Sequence, residues 1–561
     1  KPAFYRSFVD LMEELQRYQV SAEQLLEQSG RAEGDQAMKL RDIALLYTAY
    51  ESLLSRDGVN RSDYMDRLIR HLEDSGYIDG KDIYLDGFAL FTAQEEAALA
   101  VMLRRAHSVT VSLLGERGST LEIFQAGNRA YERLADLAAS CGVKAIDMTE
   151  RTPPAPPQTA LGHLERHFFG GNAAFGGDCG AVELREAETL EGEAPGPPPS
   201  IRTLVAKGGY RYRDFGLAVR NLADYEAVVE SVFAKYQVPV YLSRRRELGD
   251  QPVMTLVLAA LEAVTEGFSY EDMFRMLKTG LTGMEDRACD LLENYVLKWD
   301  IRGTMWVREE PWTANPDGYS REMTDSQARR LEEINAIRER LRLPLRQLWE
   351  GMKGERTARE RTEGLYRFLE EIGLPGRLEE RCAALAERGE LQRADEVRQL
   401  WELLCRVMDQ FVSILGDTPL GGREFVQLMK LVVSQYSVGT IPAALDQVSF
   451  SELARNDRHS VRCLFLLGAN DHLLPSVGEG GGILTDEDRN LLLEGGIRLA
   501  PHGLEKLHGE LRNIYAALAK PTERLWISYP RQGRGGTALR PSFVVGRVRS
   551  LLPAAVFRQE G

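Results

Sequence analysis

Several features are absent from this chain of 561 residues, and each absence argues against a class of protein. The chain has only six cysteines and no CxxC pair, which argues against a zinc ribbon, a local iron–sulfur site and a disulfide framework. No run of about 18 apolar residues occurs, which argues against a membrane-spanning helix. We therefore expect a cytoplasmic protein that keeps its thiols reduced.

An excess of basic charge is also lacking. Asp and Glu number 84 against 70 Lys and Arg, which leaves a net charge of -14. Any contact with nucleic acid must then come from a local basic groove and not from the field of the whole molecule. This weighs against a general DNA coat protein.

The hydrophobic pattern changes several times along the chain and predicts alternating helical and α/β segments. Residues 1–78 carry apolar side chains at helical spacing, whereas DIYLDGF and SVTVSLLG are typical of strands buried in a parallel sheet. The predicted segments are a helical insertion (1–78), a first α/β lobe (79–185), a Pro- and Gly-rich linker (186–207), a second lobe (208–250), a helical insertion (251–436) and the return of the second lobe (437–561). Two α/β lobes that each carry a helical insertion resemble the plan of superfamily-1 helicases. We therefore expect a helix-rich α/β fold with two RecA-like parallel-sheet lobes.

Seven stretches, in this order, give the chain a more specific likeness. They are LRDIALLYTAYE (40–51), IYLDGFALFTAQE (83–95), GYRYRDFGLAVRN (209–221), LENYVLKWDIRGTMW (292–306), TIPAALDQV (440–448), CLFLLGANDHLLP (463–475) and LTDEDRNLL (484–492). Together they resemble AddB, a component of the bacterial ATP-dependent helicase/deoxyribonuclease, in the RexB/AddB family. The similarity runs over nearly the whole chain.

The resemblance implies that some parts of such a protein lie outside these residues. AddB proteins begin with a P-loop and end with a nuclease domain that carries an iron–sulfur cluster, and this chain matches only the middle. It contains no GxxxxGK[ST] motif and begins without Met, so an internal fragment is expected. We expect no cofactor within these residues, with ATP at the P-loop and Mg²⁺ and the cluster in the nuclease domain. The implied partners are an AddA-type helicase–nuclease subunit in a heterodimer and single- and double-stranded DNA ends, with no membrane.

The residues at the predicted motor positions indicate that this helicase fold is inactive. An active motor of this class supplies Asp for the Mg²⁺ shell and a following Glu that positions water. Here Gly87 follows Asp86. The stretch TIPAALDQV has no basic side chain for a coupling motif, and Lys520 before Pro521 replaces the arginine finger of an ALTRA-like helix.

The resemblance implies that one unwound strand passes through the helicase-like lobes and is scanned there for the recombination hotspot Chi. Sequence-specific reading of a single strand requires aromatic planes for stacking and polar groups for the base edges. Phe88 and Phe91 are candidates for stacking, and Thr92 and Gln94 for polar contacts, on a strand-to-helix loop where α/β sheets bind ligands. Packing of both phenylalanines in the core is the alternative.

The second lobe supplies weaker candidates for DNA contact. By analogy Thr440, Ile441 and Asp446 would lie at its strand-contact loop, although Asp446 also suits a helix or turn cap. Asn470 follows a buried strand, and a turn is its alternative role. The run Arg244–Arg246 suits phosphates or solvent, and His163 and His167 have metal-ligand spacing without a nearby third ligand.

Three functions remain open at this point. The first is a non-motor subunit that guides and scans single-stranded DNA during double-strand-break repair. The second is a structural scaffold whose acidic surface docks the motor and nuclease subunit with little DNA contact. The third is an active ATPase, which would have to work without the Glu, the coupling basic residue and the arginine finger.

Overall fold

The computed structural model describes residues 2–57, 61–148, 156, 158–242, 245–320, 322–434, 436–439, 446–453, 461–476 and 482–560. The chain divides into two compact units. Unit 1 comprises Lys1–Ser243 and Leu445–Gly561, and unit 2 comprises Arg244–Ala444. The predicted helical insertion over 251–436 falls inside unit 2.

Helices account for 58% of the structure, and parallel sheets accompany them, which confirms the predicted helix-rich α/β class. In unit 1 the helices are α1 (Pro2–Arg17), α2 (Ala22–Ser29), α3 (Gly34–Asp57), α4 (Arg61–Ser75), α5 (Ala93–Arg105), α6 (Glu122–Ser140), α7 (Ala160–His167), α8 (Leu190–Glu193), α9 (Pro197–Ala206) and α10 (Leu222–Lys235). Unit 2 contains α11 (Pro252–Thr265), α12 (Tyr270–Leu277), α13 (Asp286–Trp299), α14 (Asp325–Gly351), α15 (Ala358–Glu371), α16 (Leu374–Glu387), α17 (Leu391–Leu415) and α18 (Gly422–Val433). The chain then returns to unit 1 with α19 (Asp486–Glu494), α20 (Gly503–Ala519) and α21 (Phe543–Leu551).

The strands fall into four sheets within the described residues. They are β1 (Asp82–Leu85), β2 (Ser108–Val111), β3 (Val182–Thr189), β4 (Phe215–Val219), β5 (Val240–Leu242), β6 (Arg245–Glu247), β7 (Arg356–Thr357), β8 (Pro419–Leu420), β9 (Ser437–Gly439), β10 (Val448–Glu452), β11 (Val461–Leu466), β12 (Pro521–Gln532) and β13 (Val556–Glu560). β1 pairs with β2 in parallel, whereas β6–β9 and β7–β8 are antiparallel pairs of unit 2.

The largest sheet among the described residues has the order β13-β3-β12-β11-β4-β10-β5, and every pair in it is parallel. A parallel sheet is covered on both faces, so its strands carry apolar residues in both directions. In β11, Leu464 and Leu466 pack into one core with α7, α20 and α21. Cys463 and Phe465 point into the other core with α9 and α10. The sheet therefore lies inside unit 1 between two layers of helices.

The first helices of unit 1 pack against a late part of the chain. Leu11, Leu15 and Leu40 share a core with Leu492 of α19. Two-point carboxylate contacts reinforce this packing, because Arg489 donates to Glu14 at 2.6 and 2.8 Å. The predicted helical insertion at the beginning of the chain is therefore joined to residues that follow β11.

The segment 186–207, for which the composition predicts a linker, is regular in the structure. It contains the end of β3 together with α8 and α9. Its prolines do not interrupt the helix, because Pro197 and Pro198 occupy the first turn of α9. At that position the missing N–H has no intrahelical partner to lose. β3 also belongs to the large sheet, so the first predicted lobe ends earlier than residue 185.

Unit 2 is built around one helical core. Residues of α11 are buried on all sides, among them Leu256, Val257, Ala260 and Leu261. The surrounding helices contribute single apolar faces, as expected for helices that border solvent. Within the described part of the chain, no helix is both long and apolar enough to cross a membrane.

Candidate nucleic-acid interface

The Asp-Gly-Phe sequence lies at the carboxyl edge of the β1–β2 sheet. The two strands are in register from Asp82 opposite Ser108 to Leu85 opposite Val111. Ser112 donates its backbone N–H to the carbonyl of Leu85 at 2.9 Å and its hydroxyl to the carboxylate of Asp86. Ligands of open α/β sheets bind at this edge. Asp86 is therefore at a ligand-binding position but is held by a neighbouring hydroxyl.

Gly87 has a backbone reason to be glycine. Its φ is 95°, in the left-handed half of the conformational map where a Cβ atom clashes with the backbone. The chain leaves β1 through this residue and reverses toward α5. A glutamate, the residue that a motor carries after its aspartate, would be strained in this backbone.

We expect Gly87→Glu to lower the free energy of unfolding by about 1–2 kcal/mol, because the left-handed conformation disfavours a side chain. We also expect it to leave ATP hydrolysis by the complete natural protein unchanged. Chemical denaturation and phosphate release measure these two quantities. Gly176→Glu is the matched control, since Gly176 is exposed, has no positive φ and has open space around its Cβ position. Equal stability losses in the two variants would contradict the backbone explanation.

Phe88 and Phe91 lie one against the other in the loop that follows Gly87. Their rings stack with centroids 5.0 Å apart and planes at 15°. Phe91 is only 5% exposed, whereas Phe88 is half-buried. Phe91 therefore supports Phe88 from the interior, and Phe88 is the ring of the pair nearer to solvent.

Thr92 and Gln94 hold the start of α5. The Thr92 hydroxyl accepts the N–H of Glu95, and the Glu95 carboxylate accepts the N–H of Thr92, which forms a capping box. Gln94 is 2% exposed and donates to the carboxylate of Asp66 at 3.1 Å. In this conformation both side chains orient the loop of Phe88, and neither is positioned mainly toward solvent. The Thr-x-x-Glu pattern is a signal in the sequence that predicts such a cap.

Asn470 lies at the carboxyl edge of the large sheet and is 1% exposed. Its amide donates to the carbonyls of Pro530 at 2.9 Å and Arg540 at 3.2 Å, and so joins the loop after β11 to the loop after β12. Contact with a base would require this side chain to leave its position. The next residue but one, His472, is highly exposed with a φ of 67°.

A buried carboxylate that sequence patterns do not single out holds the same edge. Glu193, 2% exposed, accepts the hydroxyl of Tyr225 at 2.5 Å, the hydroxyl of Ser528 and the N–H of Gly468 at 2.9 Å. Burial raises the pKa of Tyr225, and the negative charge of Glu193 raises it further. Glu193 lies in the segment whose composition predicts a linker, which hides it from a reading by pattern.

Two positive residues of the large sheet bear on the motor chemistry. Arg220, which follows β4, donates to both oxygens of Glu510 at 2.7 and 2.9 Å. Helix α20 ends at Ala519 and Pro521 begins β12, so Lys520 stands at the end of its helix as the sequence predicts. Neither geometry resembles an arginine that is presented to a phosphoryl group.

The remaining candidates are divided between the units. Asp446 is exposed and accepts the backbone N–H of Arg213 at 3.0 Å, which suits a turn cap. Thr440, Ile441 and Arg244 lie outside the described residues, and Arg245 and Arg246 lie in β6.

The histidine pair of α7 has no metal site around it in the described residues. The rings of His163 and His167 are 4.4 Å apart, and His163 Nε2 lies 2.8 Å from the carbonyl of Ala173. No group of three or more His, Cys, Asp or Glu side chains suited to a metal occurs in the part of the chain that the structure describes. Burial lowers the pKa of His167, and the charges of His163 and nearby arginines lower it further.

Comparison with known proteins gives consistent matches over the whole chain. Residues 1–165 match the family model described as "ADDB, N-terminal". Curated proteins described as the B-type subunit of an "ATP-dependent helicase/deoxyribonuclease" align with 98–99% of the chain: 36% identity in Desulforudis audaxviator, 34% in Moorella thermoacetica and 32% in Symbiobacterium thermophilum. The chain covers 49–50% of these proteins, so it spans about half the length of the curated relatives it matches.

Proposed function

We infer that this chain, which belongs to the AddB family, is the part of an AddB-type helicase–nuclease component that guides single-stranded DNA during the repair of double-strand ends. In this role the chain binds one unwound strand and scans it for the Chi hotspot, and a partner subunit of AddA type drives unwinding. ATP, Mg²⁺ and an iron–sulfur cluster are assigned to other parts of the complete complex. The loop of Gly87 and Phe88 carries this proposal.

The loop supports strand reading because it combines a ligand-binding position with a supported aromatic ring. Gly87 leaves β1 with a φ of 95°, and Phe88 follows it, stacked on the buried Phe91. A base can stack on an aromatic side chain with about 1–3 kcal/mol of favourable free energy, whatever its identity. A ring that is fixed from the interior loses little conformational entropy when a base binds.

The surroundings of the sheet edges support a role without ATP turnover. Gly87 occupies the position of the water-orienting glutamate, and its backbone disfavours that residue. Arg220 is neutralised by two hydrogen bonds to Glu510 and is not available to a triphosphate in this conformation. Both features agree with a helicase fold that binds its strand but does not move it.

A scaffold that docks the motor subunit with little DNA contact is the second candidate, and the net charge of -14 favours it. The two functions differ in what they require of Phe88. A scaffold uses the ring only for packing, whereas a strand-guiding subunit uses it for base contact.

Phe88→Ala tests the proposal. We expect the altered subunit, in complex with its motor partner, to lose roughly five- to tenfold in affinity for single strands and to discriminate less among sequences, because a stacking contact is removed. The slope of affinity against salt should stay unchanged, since phosphate contacts remain. Fluorescence anisotropy with a labelled oligonucleotide library at several salt concentrations measures both effects.

Phe557→Ala is the matched control, because Phe557 is a 38% exposed phenylalanine on β13, in a different sheet. It should bind like the unaltered protein, and Phe88→Tyr should retain most of the affinity. Identical binding by Phe88→Ala and the unaltered complex would favour the scaffold.

A further inference from the structure

Three arginines meet two carboxylates where α6 adjoins α5 and the beginning of α20. Arg498 donates to both oxygens of Glu96 on α5, at 2.9 and 2.7 Å. Arg129 of α6 lies 3.0 Å from the carboxylate of Glu505 on α20. Arg133 follows Arg129 by four residues and so lies on the same face of α6. We call Arg129, Arg133 and Arg498 the arginine cluster.

Arg133 is the unmatched member of this cluster. Within the described residues it makes no hydrogen bond or ion pair, although it is half-buried. The three guanidinium groups face two carboxylates, which leaves one positive charge without a close partner. Burial lowers the pKa of Arg133, and the positive charges of Arg498 and Arg129 lower it further against the opposing Glu96 and Glu505.

Such a charge favours an anion as its ligand. Arginine stays protonated under all physiological conditions, so an unfavourable field around it is relieved by a bound anion and not by loss of a proton. The planar guanidinium matches the oxygens of a phosphate with two parallel hydrogen bonds. Two neighbouring arginines that are already fixed by carboxylates add positive potential without using further conformational entropy.

The position of the cluster identifies the source of the phosphate. Glu96, which holds Arg498, is four residues after Thr92, and Thr92 caps the helix that follows the Phe88 loop. At 1.5 Å per residue, Glu96 and Thr92 are about 6 Å apart along the axis of α5. A strand whose base stacks at Phe88 therefore brings its backbone close to this end of the helix.

We propose that Arg133, flanked by Arg129 and Arg498, binds a backbone phosphate of the single strand whose bases lie at the Phe88 loop. This inference rests on the proposed function and assigns it a sequence-independent contact beside the base-reading one. Phosphate contacts fix the register of a strand, and base contacts then read it.

Arg133→Ala in the complete natural subunit, in complex with its motor partner, tests the contact. The probes are a labelled single strand and an abasic strand of the same length, which carries the phosphates but no bases. We expect roughly a tenfold loss of affinity for both strands, as for one charge-assisted hydrogen-bonded contact. The slope of log affinity against log salt should fall by about 0.7, the value for one phosphate on a single strand. Arg133→Lys should keep the slope with part of the affinity, and Arg133→Gln replaces the alanine variant if that variant unfolds.

Arg104→Ala is the matched control, because it removes the same charge from α5 at a side chain that is 48% exposed and paired with Glu73. It should leave the slope unchanged. A slope for Arg133→Ala equal to that of the unaltered complex would overturn the proposal. So would thermal stabilisation by inorganic phosphate that depends on Arg133 while strand binding does not, since this would indicate a site for free anions.

The abasic strand separates this inference from the proposed function. It offers nothing for Phe88 to stack on, so a changed slope with unchanged sequence selectivity in Phe88→Ala would support Arg133 and contradict base reading. The reverse result would leave the reading function and remove the phosphate contact. An unaltered complex that binds neither strand would overturn both.

Discussion

Arg361→Met should lower the free energy of unfolding of unit 2 by about 3 kcal/mol or more, because three buried carbonyls lose charge-assisted hydrogen bonds. Arg361 of α15 is fully buried. Its guanidinium donates to the carbonyls of Leu420 at 2.8 Å, Gly351 at 3.2 Å and Gly354 at 2.7 Å. It thus joins the end of α14 and the turn before β7 to β8. Methionine fills much of the space but donates no hydrogen bond.

Hydrogen exchange distinguishes this mechanism from a general loss of packing. Exchange should accelerate first in peptides that cover Gly351–Gly354 and β8, because these segments lose their common donor. Arg361→Lys should recover only part of the stability, since a single ammonium cannot reproduce the fork of three donors.

Arg367→Ala is the control for charge and helix position. Arg367 lies on the same helix, is 69% exposed and has only a long contact of 3.7 Å with Glu363. Its loss should change the free energy of unfolding by less than about 0.5 kcal/mol. A comparable loss in both variants would mean that the three carbonyls do not depend on Arg361.

The second large effect is expected at Glu193. Glu193→Ala should lower the free energy of unfolding of unit 1 by about 3–5 kcal/mol, because it leaves three buried donors without their acceptor. These donors are the hydroxyls of Tyr225 and Ser528 and the N–H of Gly468. Chemical denaturation measures the loss, and exchange of the Gly468 amide reports on it locally.

Glu191→Ala controls for the loss of a carboxylate from the same short helix, since Glu191 is exposed. Its effect should stay within about 0.5 kcal/mol. Tyr225→Phe removes one of the three donors and should cost about 1 kcal/mol, because the acceptor keeps the other two. A Gly468 amide that stays protected in Glu193→Ala would contradict the assigned hydrogen bond.

The effect on function should follow from the position of Gly468. The carboxylate of Glu193 fixes the turn that leads from β11 to Asn470 and the exposed His472. Weaker fixation of this turn would alter the carboxyl edge of the large sheet, where α/β proteins bind their ligands. We expect single-strand affinity to fall in Glu193→Ala even at temperatures where the fold is intact.

Local patterns in the sequence predict the elements around the Phe88 loop well. The apolar run of β1, the glycine at the turn and the Thr-x-x-Glu cap of α5 all act between residues close in the chain. Backbone conformation and capping depend on such near neighbours, so these features can be read in order. The loop's DNA-binding residues are a different matter, and their role stays a prediction.

Composition misleads in the segment 186–207. Its prolines and glycines predict a linker, yet Pro197 and Pro198 open α9 and the preceding residues belong to β3 and α8. Composition does not distinguish a proline in a loop from a proline in the first turn of a helix, because both positions tolerate the missing N–H. The position of the segment beside β12 in the sheet resolves the difference.

The sequence by itself determined the helix-rich α/β class, the strand-to-helix loop with Gly87 and Phe88, and the family. Only the tertiary structure decided which polar side chains are used for internal contacts. Gln94 donates to Asp66 28 positions earlier, Asn470 donates to the carbonyl of Pro530 60 positions later, and Glu193 accepts from Gly468 275 positions later. Partners at such separations are brought together by burial of the sheet and its helices, and no local pattern records them.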